Sequence, residues 1–266
     1  LHRYNVAEGE QSSVSRLERA FADYQGARYC LACASGGYAM SLALRAAGVG
    51  PGDRVLTNAF TLAPVPGAIA GVAARPVLVD ITEDLVIDLE DLRRKIASTG
   101  ARVLLLSNMR GHLCNMDALV PLLDDAGIVL IEDCAHTMGA GWNGRPSGSF
   151  GLAGYFSTQT YKHLNSGEGG LLTSDNAEFM ARAIMLSGSY MHYERHGAAP
   201  PREAFDAIRL ETPNMSGRMD NLRAAILLPQ LAALDENTRR WNARWARRCA
   251  SAPLAARQRC GRSCRT

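Results

Sequence analysis

Residues 128–136 read IVLIEDCAH and residues 155–170 read YFSTQTYKHLNSGEGG. In the first, an apolar run of strand length, Ile128–Glu132, breaks at Asp133. In the second, the candidate strand Ala153–Ser157 gives way to a polar stretch holding Lys162 and then to a glycine-rich turn. Working outward, similar short runs occur at Arg28–Cys33, Arg54–Thr57, Pro76–Asp80, Val103–Ser107 and Gly170–Thr173. Helical patterns lie between them, at Tyr38–Ala47, Gly67–Ala73, Asp88–Ala97, Met116–Ala126 and Asn176–Leu186. Strand and helix taking turns predicts an α/β fold, a mainly parallel seven-stranded sheet between helices. Such sheets bind ligands beyond the carboxyl ends of their strands, which is where Asp133 and Lys162 fall.

Lysine is scarce. Of 29 basic residues only Lys95 and Lys162 are lysines, so arginine serves wherever charge alone is needed. Lys95 sits beside Arg93 and Arg94 on an amphipathic helix and reads as a surface residue. Lys162 has no acidic neighbour in sequence until Glu168. A lysine at a strand end suits a Schiff-base nucleophile better than a core position. Asp133 alone is open to several readings: a metal ligand, a proton acceptor, a partner for a protonated ring nitrogen, or a helix cap. Taken with Lys162 it points to pyridoxal 5'-phosphate, which needs both a Schiff-base lysine and an acid at its ring nitrogen. Ser35, Gly36 and Gly37 follow a strand and precede a helix, where backbone N–H groups can approach a phosphate.

The chain has 266 residues, 47% of them apolar, enough for a substantial core. Residues 1–13 are polar and charged and do not read as a secretory signal. Val55–Ala74 runs 20 residues without a charge, but Pro64 and Pro66 would break a spanning helix, so a buried segment is expected rather than a membrane partner. No acidic residue follows Glu236, whereas nine arginines do. They read as a solvated helix face followed by an irregular end, not as a nucleic-acid site, because no aromatic residues or base-reading motif accompany them. Cys30 and Cys33 have redox or zinc spacing but end an apolar run, so a buried strand is expected and no metal site. The seven cysteines read as reduced thiols and the setting as cytoplasmic.

Leu17, Ala20, Phe21 and Tyr24 form a first amphipathic helix, capped by Ser13 or Ser15. Gly188–Pro213 lacks periodicity and is expected to be a long loop. A helical pattern returns at Arg218 and runs toward Arg248, with an expected break near Pro229.

Ser35–Gly37 ahead of a helix, LALRAAGVGPGDRVL (residues 42–56), IEDCAHTMGA (131–140) and FSTQTYKHLNSGEGG (156–170) together resemble the DegT/StrS-type sugar aminotransferases of fold type I, over about Leu17 to Ala246. The resemblance implies that Lys162 carries the cofactor and shuttles the proton, that Asp133 keeps the ring nitrogen protonated, and that His136 lies against the ring or its hydroxyl. Ser157 and the backbone of Gly36 and Gly37 would cradle the phosphate. It further implies a homodimer with shared active sites, with Gly188–Pro213 reaching across and Asn214 contributing from the neighbour. Glutamate or glutamine would donate the amino group to a keto group of a nucleotide-linked sugar or cyclitol, in secondary-metabolite or surface-polysaccharide biosynthesis. A catalytically silent cofactor-binding fragment or partner subunit is the alternative. The chain departs from the family at Gly37, where threonine is usual, at Leu62, where an aromatic often stacks on the ring, and at Ser216, where asparagine is common. Residues 1–235 are expected to be the cofactor-binding large domain. Residues 236–266 are expected to be a linking helix and the truncated start of a small, largely absent C-terminal domain with an aberrant basic tail.

Overall fold

The computed structural model describes residues 12–189 and 193–251. Ser12 caps α1 (Ser13–Gln25), its hydroxyl accepting from the Ser15 amide, and Gly26 closes the helix in the left-handed region at φ 66°. There follow β1 (Tyr29–Cys33), α2 (Gly36–Ala46), β2 (Arg54–Asn58), α3 (Pro64–Gly71), β3 (Arg75–Val79), α4 (Leu89–Thr99), β4 (Val103–Ser107), α5 (Met116–Asp125) and β5 (Val129–Asp133). After a small hairpin, β6 (Gly141–Trp142) and β7 (Arg145–Pro146), come β8 (Ala153–Ser157), β9 (Gly170–Ser174) and α6 (Ala177–Leu186). The chain continues through α7 (Glu203–Asp206) to α8 (Asn221–Ala232) and α9 (Leu234–Ser251).

The seven long strands form one sheet in the order β1-β9-β8-β5-β4-β2-β3. The pairs among β3, β2, β4, β5 and β8 are parallel; β9 alone runs antiparallel, to both β8 and β1. Strand alternation divides the core. Leu31, Leu105, Ile131 and Tyr155 meet α2, α3 and α6 on one face. On the other, Phe156 packs with α1 and α8, while Leu104 and Leu130 pack with the helices α4 and α5. The carboxyl ends of β1, β4, β5 and β8 are brought to one edge, as the mainly parallel reading required.

Five expectations need correction. The cap of α1 is Ser12, not Ser13 or Ser15, which lie inside its first turn. Gly36 and Gly37 do not precede a helix but form its first two residues, because Ser35 takes the cap and accepts from the Tyr38 amide. The break expected at Pro229 falls instead at Ala233. Pro229 is carried inside α8, whose Ala224, Leu227 and Leu231 stay buried on one face. Gly188–Pro213 is not one free loop. His196, Ala198 and Phe205 are buried, the Cys30 amide donates to the Ala198 carbonyl at 3.0 Å, and the Tyr193 and Phe205 rings stack at 4.5 Å. Cys30, Cys33, Cys114 and Cys134 are buried thiols outside any disulfide, as expected, but Cys249 is disulfide-bonded.

Val55–Ala74 becomes β2, a turn and α3, with a proline in the first turn of the helix. Among the described residues no helix is long and apolar enough to cross a membrane. The arginines of α9 are exposed, as a solvated face requires. The irregular tail expected beyond residue 251, and the polar residues 1–11, lie outside the described residues.

Candidate active site

A cavity of about 360 Å³ opens at the carboxyl edge of the sheet. Its walls bring together Gly36 and Gly37 from α2, Asp133 and His136 from the end of β5, and Ser157 and Lys162 from beyond β8. These are six of the seven residues expected to act. The seventh, Asn214, is exposed and stands against Gly188, away from the cavity of its own chain.

The sequence offered two adjacent carboxylates, and strand alternation separates their tasks. Glu132 turns to the opposite face, fully buried, and accepts from the amides of Gly148, Phe150 and Gly151. Burial pushes its carboxyl up to about 7 against those three hydrogen bonds. It anchors the loop behind the sheet. Asp133 turns into the cavity, where its Oδ1 accepts from the Ala135 amide at 3.0 Å and its Oδ2 from the Ser107 hydroxyl at 3.1 Å. Burial raises its pKa, opposed by the Ala135 amide, by the Tyr155 and Ser107 hydroxyls and by Lys162. A cationic nitrogen placed beside it would restore the carboxylate. The buried Tyr155 hydroxyl, on the paired position of β8, lines the same cavity and faces the Asp133 carboxyl, which pushes the hydroxyl's own pKa up further than burial alone does.

Lys162 Nζ lies 2.8 Å from His136 Nε2. The other ring nitrogen, Nδ1, accepts from the Arg110 amide at 3.4 Å, which assigns the single proton of a neutral ring to Nε2. That proton then points at Lys162 Nζ, which can accept it only through the lone pair of its uncharged form. Burial first, then the charges of Lys162 and Arg110, bring His136 down to about 4, and burial lowers Lys162 from its ordinary value. Arg110 holds its amide in place at φ 57°, a left-handed conformation costly for a non-glycine residue. Lys95, by contrast, is ion-paired with Asp91 at 3.0 Å.

Capture of an aldehyde by Lys162 should therefore proceed with a midpoint below 10.5, the ordinary lysine value. The check is borohydride trapping of pyridoxal phosphate across pH 6 to 11; a midpoint at or above 10.5 would show an ordinary charged lysine.

The residues fit pyridoxal phosphate. The first turn of α2 leaves N–H groups without intrahelical partners, beside the Ser157 hydroxyl, which suits a phosphate. A Cβ on Gly36 would stand 2.8 Å from Ser157 Cβ, so the glycine is needed for this close approach rather than for a special backbone angle. At Gly37 nothing lies within 4 Å, so the threonine usual in the family would have room. Gly36→Ala should destabilise the fold by about 1–3 kcal/mol and weaken phosphate-dependent cofactor binding. Gly37→Ala should leave both unchanged, as read from melting curves and cofactor titrations of the two variants. Leu62 lines the cavity at 45% exposure, presenting an aliphatic surface where an aromatic was the familiar choice. Among the described residues no cluster of potential ligands could hold a metal ion.

Ser107 and Tyr155 were missed at the sequence level. Ser107 was findable: it ends the run VLLLS as a polar residue at the ligand edge, and it pairs in register with Asp133. Tyr155 carried no such signal, being one more large residue inside an apolar strand.

The sequence profile of the DegT/DnrJ/EryC1/StrS aminotransferase family matches residues 5–257. The chain belongs to this family. It is 35% identical over 244 residues to the L-glutamine:scyllo-inosose aminotransferase of Streptomyces griseus, an alignment covering 89% of this chain and 56% of that protein. It is 32% identical to the GDP-perosamine synthase of Caulobacter vibrioides, covering 85% and 59% respectively. The crystal structure of 3-amino-5-hydroxybenzoic acid synthase superposes with a TM-score of 0.76 at 31% identity, covering 88% of this chain and 59% of that one. The chain thus spans little more than half the length of these relatives.

Proposed function

We propose that this chain binds pyridoxal 5'-phosphate on Lys162 and acts in amino transfer from glutamine or glutamate to a keto group of a nucleotide-linked sugar or cyclitol. The observation that carries it is the 2.8 Å contact of Lys162 with a neutral His136 in the cavity that also holds Asp133. Bound pyridoxal phosphate supplies an aldehyde carbon and an electron-withdrawing ring. With the cofactor bound, Lys162 would hold it through its amine and, once released, would take up and return the proton at the reacting carbon of the donor and, in the second half of the reaction, of the acceptor. Asp133 holds a proton at the ring nitrogen, His136 orients the lysine, and Ser157 with Gly36 and Gly37 binds the phosphate. The names of the relatives support both the glutamine donor and a cyclitol or nucleotide-sugar acceptor.

In this reading residues 1–235 form the cofactor-binding domain and 236–266 begin with a linking helix. The enzyme works in the cytoplasm as a homodimer whose neighbour covers the site, with Asn214 acting across the interface. Supporting a covering neighbour are Tyr161, 89% exposed one residue from Lys162, and Leu210, 91% exposed. The test is single-turnover conversion of keto-sugar and keto-cyclitol acceptors by protein preloaded with cofactor and glutamine. Amino product from at least one acceptor class supports the reading; bound cofactor with no conversion of any acceptor leaves a silent binder.

A further inference from the structure

We infer that Ser107 is a positioning residue for the reaction, the middle link of a hydroxyl relay from Thr61 through Ser107 to Asp133. The inference rests on the reading of Asp133 as the partner of the cofactor's ring nitrogen.

The relay has a direction. The Thr61 hydroxyl donates to Ser107 Oγ at 2.8 Å, so the one proton of Ser107 is free to go to Asp133 Oδ2, 3.1 Å away. A hydroxyl that already accepts a hydrogen bond donates more strongly. The backbone of Ser107 is fixed as well. Pairing of β2 with β4 stops at Leu56 and Leu104, and the Asn58 side chain closes the gap beyond it. Asn58 Oδ1 accepts from the Ser107 amide at 2.8 Å, and Nδ2 donates to the Ser107 carbonyl at 3.0 Å. Asn58, Ser107 and Asp133 are all buried, so solvent does not compete for these bonds.

The consequence is chemical. Asp133 Oδ1 is held by the Ala135 amide and Oδ2 by Ser107. Both donors, with the facing Tyr155 hydroxyl, favour the carboxylate over the acid, against a burial that disfavours it. They also fix the plane of the carboxyl group, leaving its remaining lone pairs toward the cavity. A relay of this kind lowers the cost of charging Asp133 in a dry site, so that less is asked of the cation placed beside it.

The test follows the titration of Asp133 in the cofactor-free full chain by carbon-13 NMR of labelled aspartate, assigned by the signal lost in Asp133→Asn. The other groups facing Asp133, Tyr155 and Lys162, are the same in every variant compared. Ser107→Ala should raise the midpoint by about one to two pH units, the loss of one hydrogen bond to a charged group. Ser107→Thr, which keeps the hydroxyl, should return it to within about 0.3 units of wild type. In the loaded enzyme Ser107→Ala should lower kcat about tenfold with KM within twofold, since the bond acts on the reacting ring and not on the acceptor. An unchanged midpoint in Ser107→Ala would overturn the inference, as would a kcat equal to wild type. Should Ser107→Ala not fold, Thr61→Val decides: a smaller rise in the same direction supports the relay and no rise removes it. A wild-type protein that takes up no cofactor on Lys162 would defeat the functional reading instead, whatever the titration shows.

Discussion

Lys162→Ala is expected to lose covalent cofactor attachment altogether and to lower amino transfer by on the order of 10⁴-fold or more, because one side chain supplies both nucleophile and proton carrier. Lys162→Arg should fare no better. Arginine keeps the charge, but its guanidinium does not deprotonate and cannot attack a carbonyl carbon. The fold should survive both changes. Lys162 follows β8 and is half-buried at the cavity wall, and its polar contact is the 2.8 Å approach to His136. Absorbance spectra of the three proteins incubated with pyridoxal phosphate, followed by single-turnover assays with an amino donor, make the comparison. A variant retaining more than a few per cent of wild-type conversion would remove Lys162 from the chemistry.

Asp133→Asn should keep measurable cofactor binding and lose on the order of 10²–10³-fold in turnover. The asparagine oxygen can still accept from the Ser107 hydroxyl or the Ala135 amide, so the local hydrogen bonds are largely preserved. What disappears is the charge. A neutral amide cannot hold a proton on the ring nitrogen, and the electron demand of the ring weakens. The loss should appear in kcat rather than in KM, since Asp133 has no role in holding the acceptor. A variant turning over within threefold of wild type would mean that Asp133 serves only to cap the turn through the Ala135 amide.

Much of this was readable before any coordinates. The seven strands lie where short apolar runs predicted them, because residues buried on both faces of a parallel sheet leave near-continuous apolar runs of strand length. Lys162 stood out because arginine fills nearly every other basic position, and Asp133 because it breaks IVLIE at the strand end. Their meeting in one cavity follows from the topology: β5 and β8 are neighbours and parallel, so their carboxyl ends coincide. The rest was illegible for reasons of scale. Nothing local distinguishes Glu132 from Asp133 until the facing of the strand is known. The Arg110 amide that sets the His136 tautomer belongs to a tight turn 26 residues away in the chain. The packing of 188–213 rests on contacts such as Cys30 with Ala198, which no periodicity announces.

Every role assigned above turns on Lys162, half-buried at the cavity wall, carrying pyridoxal phosphate. Borohydride reduction of the cofactor-loaded protein, followed by proteolysis and peptide mass mapping, tests it most directly. One pyridoxyl adduct is expected, on the peptide containing Lys162. An adduct on Lys95, or a folded, cofactor-saturated protein with no adduct at all, would contradict it.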